Sequence, residues 1–293
     1  MPMQVFDEVR KALEGDTYWG SVVRQELVAK AYECGTHSTT LVTVARYFEH
    51  SRFRLLRNGC LADATAQASR VVVRAQVLQL AARLEAMATY ELRAWLERVG
   101  RRTVVVGHAV SQRLANGDVV DIARGSAALN FLGRRGEALE VPDAHRLREL
   151  AAPSTALRGH SPVNDVQAAS PEAMAEVIGP APPGVWLCSV CSPAVDMDSF
   201  GWAHEASCLA YCERVRFDAA AAGGYGELSE SVLQAYTLRA YVSYVGYAAQ
   251  GDRIVAASWA LEPMLGSAPG TLQLAFEFRM AEGGAVLFRA CID

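Results

Sequence analysis

The residues of this chain best suited to chemistry lie between Asp196 and Glu213, where a carboxylate, Asp198, is followed by Gly201, Trp202, His204 and Glu205 and then by Tyr211, Glu213 and Arg216. Asp198 is ionised at neutral pH from a reference pKa of about 3.9, which suits a general base or a nucleophile toward an acyl carbonyl. Its competing role is to cap a turn, as Asp often does, and Asp196 is the rival carboxylate. The apolar spacing of Ala206, Leu209, Ala210 and Phe217 predicts a helix that begins near Glu205 and faces a core with those residues. A helix start carries unpaired N–H groups and partial positive charge, so the backbone at Glu205 is placed to hold an oxyanion. The Glu205 side chain suits the helix dipole but would repel that oxyanion if it pointed inward. His204 is placed to orient a carbonyl or a water.

These residues need an apolar strand before them and a buried helix after them. Val185 to Val195 reads as that strand. The same helix pattern occurs earlier in the chain. Ala45 to Gly59 aligns without a gap with Leu209 to Gly223, pairing Tyr47 with Tyr211, Glu49 with Glu213, Arg52 with Arg216 and Phe53 with Phe217. A second block, Tyr90 to Gly100, matches Tyr236 to Gly246. Two matched blocks in the same order indicate an internal duplication, with extra residues in the first copy around Cys60 to Ser69. Cys34, with His37 nearby, stands where the second copy has Asp198, so the first site has lost its acid. In each copy an Arg follows the Glu by three residues, which predicts an ion pair along the helix worth about 0.2–0.5 kcal/mol. A structural role for Glu49 and Glu213 is therefore favoured, with Glu213 a catalytic reserve.

The arrangement of Asp, Gly three residues on, a His or amide cluster, and a helix carrying Tyr, Glu and Arg resembles the hotdog-fold acyl thioesterases. His204 sits two residues beyond the place, here Trp202, where that family has its His. The resemblance implies an α+β fold, a tandem double hotdog in which each antiparallel sheet wraps a long central helix, with sites in the cleft between the halves. It further implies thioester hydrolysis on an acyl-CoA or acyl carrier protein, in fatty acid or polyketide biosynthesis. Asp198, His204 and Glu213 are then the catalytic candidates, and Gly201, Trp202, Glu205, Cys34, His37 and Glu49 the substrate-binding ones. A dehydratase, cyclase or acyltransferase on a carrier-bound intermediate, or a non-catalytic acyl-binding protein, are the alternatives; the His and carboxylate motifs of hotdog dehydratases are not seen in the sequence.

The predicted organisation is residues 1–150 as a first hotdog unit, 151–184 as a Pro, Ala and Ser-rich linker, and 185–293 as the unit with the acidic site. Within it, residues 1–15 read as a short helix, Val22 to Tyr32 as a strand and Leu41 to Arg57 as the first central helix. Val71 to Leu80, Tyr90 to Val99, Arg102 to Leu114 and Val119 to Phe131 follow as strands, with Asn116-Gly117 a hairpin turn. Short helices are expected near Ala144 to Leu150 and Pro171 to Val177. The second unit's further strands are Ser231 to Tyr247, Asp252 to Glu262, Gly270 to Ala281 and Ala285 to Cys291.

A net charge of -4 and a pI near 5.9 offer no basic footprint for nucleic acid. No apolar run reaches the ~20 residues of a membrane span and no signal peptide is visible, so the expectation is a cytoplasmic protein. Seven cysteines, an odd number, fit reduced thiols. Cys188 and Cys191 have metal-like spacing, but on a strand they point to opposite faces, and no cofactor or metal is expected. The partner expected is the acyl thioester substrate, with the halves forming an internal pseudo-dimer open to further self-association.

Overall fold

The computed structural model describes residues 17–19, 22–34, 37–154, 170–183, 185–191, 203–261 and 272–293. The helix expected at 1–15, and Asp198, Gly201 and Trp202, lie outside the described residues, as does the side chain of His37.

The chain runs β1 (Thr17–Trp19), β2 (Val22–Val28), a 3-10 turn (Ala31–Glu33), α1 (His37–Arg57), α2 (Ala62–Gln67), β3 (Arg70–Leu80), β4 (Thr89–Val99), β5 (Thr103–Arg113), β6 (Val119–Leu132), α3 (Ala144–Ser154) and α4 (Pro171–Ile178). It continues with β7 (Trp186–Cys191), α5 (Glu205–Ala221), α6 (Ser229–Gln234), β8 (Arg239–Tyr244), β9 (Arg253–Leu261), β10 (Gln273–Met280) and β11 (Val286–Ile292). All eleven strands form one antiparallel sheet in the order β1-β2-β4-β5-β6-β3-β8-β11-β10-β9-β7. From the centre outward the order is β3, β6, β5, β4, β2, β1 on one side and β8, β11, β10, β9, β7 on the other. Apart from the short β1, each side is a strand, a long helix, then four strands, and the two sides meet where β3 pairs β8 over Ala75–Gln79 and Arg239–Ser243.

That order corrects the second repeat block. Tyr90 to Gly100 is β4, whereas Tyr236 to Gly246 is β8, and β8 occupies the place of β3. Strands share apolar alternation and a glycine stop, so two of them match by chance. The helix block is sound: α1 and α5 end at equivalent positions, Arg57 and Ala221. The residues between helix and next strand are then fewer in the first half, Arg57 to Arg70, than in the second, Ala221 to Arg239, the reverse of the expectation. Part of the strand expected from Ser231 is the short helix α6, which buries Val232 alone and leaves Leu233 exposed. The strand expected to Tyr32 stops at Val28.

The two helices pack on one face of the sheet and against each other, and their apolar residues share one core, with Leu41, Val44, Phe48 and Leu55 from α1 and Ala206, Leu209, Val215 and Ala219 from α5. The close seating of α1 depends on Gly125 of β6. A Cβ there would stand 2.6 Å from the Phe48 ring and 2.6 Å from Val77 O, so the missing side chain lets Phe48, and with it Glu49, approach the sheet. Opposite Gly125, His108 of β5 stacks on Phe48 at 4.8 Å between ring centroids. Burial, with the nearby Arg52 guanidinium, pushes His108 well below the usual imidazole range, which keeps it neutral. On α5, Phe217 is 38% exposed and lies beneath the Arg216 guanidinium instead of facing the core. α5 is buried over most of its surface, with Arg214, Phe217 and Asp218 left on an exposed strip, and it takes two charged residues, Glu213 and Arg216, into the interior.

Candidate active site

The start of α5 is where side chains from both halves converge. His204 occupies the N-cap position in extended conformation and makes no side-chain cap of its own helix. Its Nδ1 instead lies 2.5 Å from Glu49 Oε1 of α1. One turn further along α1, Arg52 Nη2 donates to Glu205 Oε2 at 3.1 Å. The contact explains what the Glu205 carboxylate does at a helix start: a guanidinium from the other half takes it and offsets its charge. Burial still raises Glu205, to about 7, with Glu49 adding to the rise and Arg52 opposing it. The N–H groups of Ser207 and Cys208 bond to His204 O, whereas those of Glu205 and Ala206 open the first turn, the former toward its own carboxylate.

A narrow pocket leads to this point, lined by Ala203, Glu205, Cys208, Tyr244, Tyr247 and Phe288. Two tyrosines brace it across the seam. Tyr244 shares its one hydroxyl proton between Glu205 O and Gln76 Oε1, both at 3.4 Å, and Tyr247 donates to Val73 O at 2.9 Å. Burial pushes Tyr244 well above the ordinary phenol range, so both it and its neighbour act as neutral donors.

The equivalent pair on α5 is engaged elsewhere. Glu213 accepts from Arg216 Nη2 at 2.8 Å and from Thr237 Oγ1 at 2.7 Å, and Arg216 Nη1 donates to Ala235 O at 2.9 Å and Val232 O at 3.3 Å. Here the ion pair along the helix forms as expected. On α1 it does not: Glu49 turns to His204 and Arg52 to Glu205, so the expected Glu49 to Arg52 pair is replaced by two contacts across the halves. By the helix alignment Thr40 and Leu41 stand where His204 and Glu205 do, so those two positions of α1 carry neither an imidazole nor a carboxylate.

Of the residues singled out in the sequence, the structure brings Glu49, His204 and Glu205 together. Glu213 sits in its own buried network. Cys34 donates to Lys30 O at 3.3 Å, and burial with the adjacent Glu33 raises its thiol, which keeps it protonated. Arg52 is the residue that sequence reasoning gave no site role. Among the described residues no group of His, Cys, Asp or Glu could hold a metal ion, and no helix is long and apolar enough to cross a membrane.

No protein-family model matches the chain, and no curated protein does. Its structure is similar to that of a 12:0-ACP thioesterase from Umbellularia californica, at a TM-score of 0.62 with 14% identity over 92% of each chain. It is similar to an acyl-ACP thioesterase from Bacteroides thetaiotaomicron, at a TM-score of 0.58 with 12% identity over 92% of this chain and 96% of that one. A Lactobacillus plantarum structure described as an oleoyl thioesterase gives a TM-score of 0.64 with 11% identity over 94% and 96%. The chain has the hotdog fold of these thioesterases.

Proposed function

We propose that this chain is a tandem double hotdog that hydrolyses an acyl thioester of coenzyme A or of an acyl carrier protein, in a cleft between its halves. The observation that carries the reading is the 2.5 Å contact of Glu49 with His204 at the start of α5. A carboxylate accepting Nδ1–H fixes the tautomer in which Nε2 is the basic nitrogen, so His204 is the base and Glu49 orients it. The thioester carbonyl lies over the first turn of α5, where the Ala206 N–H and the helix start stabilise developing negative charge. Water gives its proton to His204 and its oxygen to the carbonyl carbon. The tetrahedral intermediate then expels the thiolate, which takes the proton back, leaving a free acid and a free thiol. Asp198, which precedes this turn in sequence, is assigned to hold the attacking water or to serve as a second base. The fold of the acyl-ACP thioesterases supports an acyl thioester as the bond acted on.

One observation favours a second reading. A His paired with a carboxylate is what hotdog dehydratases use, and the sequence shows no such motif because the partners here are 155 residues apart. Mass spectrometry of the products separates the two, since hydrolysis frees the acid while dehydration keeps the thioester and loses water. With a panel of acyl thioesters, release of thiol that disappears in Glu49→Gln and His204→Gln supports the hydrolase. Unchanged thiol release in both variants overturns the assignment of the pair.

A further inference from the structure

The face of the sheet turned away from α1 and α5 holds a second constructed site. Strand register sets Ala75, Ala128, Val105 and Arg98 opposite one another, in a single row across β3, β6, β5 and β4. The ladder shifts at both ends of this row. In β3 the shift falls between Val73 and Ala75, so Arg74 is the extra residue; in β4 it falls between Leu96 and Arg98. Bulges of this kind bend a strand and re-aim its side chains. Here they leave an arginine at each end of a floor made of alanine and valine, and the small floor residues open a trough between them. The trough encloses about 980 Å3, part of it open to solvent, and the first turn of α4 forms one wall through Ser170 and Glu172.

The arginines of this trough differ from others on the same half. Arg93, Arg101 and Arg124 each pair with a carboxylate, Glu91, Glu140 and Asp121 respectively. The Arg74 and Arg98 side chains make no hydrogen bond or ion pair with a described residue. Glu97, beside Arg98, accepts from Ser126 Oγ at 2.9 Å. One row along, Thr103 faces Asn130. With the Asn130 amide turned so that both its ends are satisfied, its NH2 lies within reach of Leu129 O, Arg102 O and Thr103 Oγ1, and the Thr103 hydroxyl proton, which in the other orientation goes to Asn130 Oδ1, is left to donate to something else.

We propose that this trough is a second ligand site, which takes the phosphate group of a small phosphorylated molecule between Arg74 and Arg98, with Thr103 donating to it. Two planar guanidinium forks and a hydroxyl lining one trough match a tetrahedral group with several acceptor oxygens better than they match a planar carboxylate. The apolar floor takes the body of the molecule that carries the phosphate. The site lies on the opposite side of the sheet from His204 and stands whether or not the chain hydrolyses thioesters.

The test is isothermal titration of the full chain at low salt with inorganic phosphate, pyrophosphate and coenzyme A, beside Arg74→Gln/Arg98→Gln and the single variant Arg98→Gln. Circular dichroism and thermal melting confirm folding, and the exposed Arg98 alone carries the test if the double variant does not fold. The expected result is binding of at least one probe that weakens by more than about tenfold in the double variant, and measurably in Arg98→Gln, as charge-assisted contacts are lost. Pyrophosphate and coenzyme A weakening together makes coenzyme A phosphates a source of the ligand. Pyrophosphate weakening alone, with coenzyme A held as before, assigns the trough to a different phosphorylated molecule. Failure of all three probes to bind the unsubstituted protein, or equal binding by the variants, overturns the proposal.

Discussion

The helices α1 and α5 carry the same Glu and Arg three residues apart, and they use them in opposite ways. On α5 the pair closes on itself, with Glu213 and Arg216 at 6% and 2% side-chain exposure and bonded to Thr237, Val232 O and Ala235 O of the same half. On α1 the pair opens, and both side chains reach across to the start of the other helix. The two motifs do not differ in themselves. What differs is what each meets: Thr237 and two carbonyls in one case, His204 and Glu205 in the other. A duplicated motif thus reads as structure or as chemistry according to its partners, and those come from elsewhere in the chain.

The comparison can be broken most directly by activity. Glu49→Gln should lower thiol release by about 10²–10⁴-fold, the usual contribution of acid–base catalysis. His204→Gln should match it, because the two act as one unit. Arg216→Ala should act on folding instead. It leaves Glu213 buried with one partner gone, and a cost of about 3–5 kcal/mol is expected in urea unfolding. Equal stability losses from Arg216→Ala and Glu49→Gln would erase the distinction, since Glu49 is partly exposed and its removal should cost no more than about 1 kcal/mol.

Smaller effects sharpen the same contrast. Gly125→Ala should force Phe48 off the sheet and cost about 1–3 kcal/mol, the range for overpacking, with turnover falling as Glu49 shifts. The pH dependence follows from Glu205. Its folded pKa, about 7, lies above its usual value near 4.5, so between those values the folded state holds more protons than the unfolded one. Its contribution therefore favours folding at low pH and is lost as pH rises from about 4.5 through 7. Comparing unfolding free energies of the protein and Glu205→Gln across that range isolates it, and a parallel pair of curves would remove Glu205 from the account. Arg52→Met should move the Glu205 titration further up, readable by carbon NMR of its carboxyl.

The sequence carried the parts of this arrangement that are local. Helix α1, the Asn116-Gly117 hairpin and the strands β3 to β6 follow from apolar spacing and turn chemistry within a few residues of the segment concerned. The helix repeat was legible because Tyr, Glu and Arg recur at fixed offsets. What was not legible is anything set by pairing at long range. Glu49 and His204 are 155 positions apart, and no periodicity links them. The ion pair expected on α1 was a sound inference from spacing, and it was displaced because a partly buried carboxylate is better served by a cross-half partner than by its own helix. The strand expected over Ser231 failed because alternation in a short segment suits a helical turn as well.

The seam between the halves has a further consequence. Five residue pairs of β3 and β8, from Ala75 with Ser243 to Gln79 with Arg239, join the two sides of the sheet. A slide of two positions would keep each side chain on its own face of the sheet. It would nonetheless carry one helix past the other by about 7 Å. The hydroxyls of Tyr244 and Tyr247, each anchored to the opposite strand or its neighbourhood, act as detents against that slide, so two phenols help to keep Glu49 in line with His204.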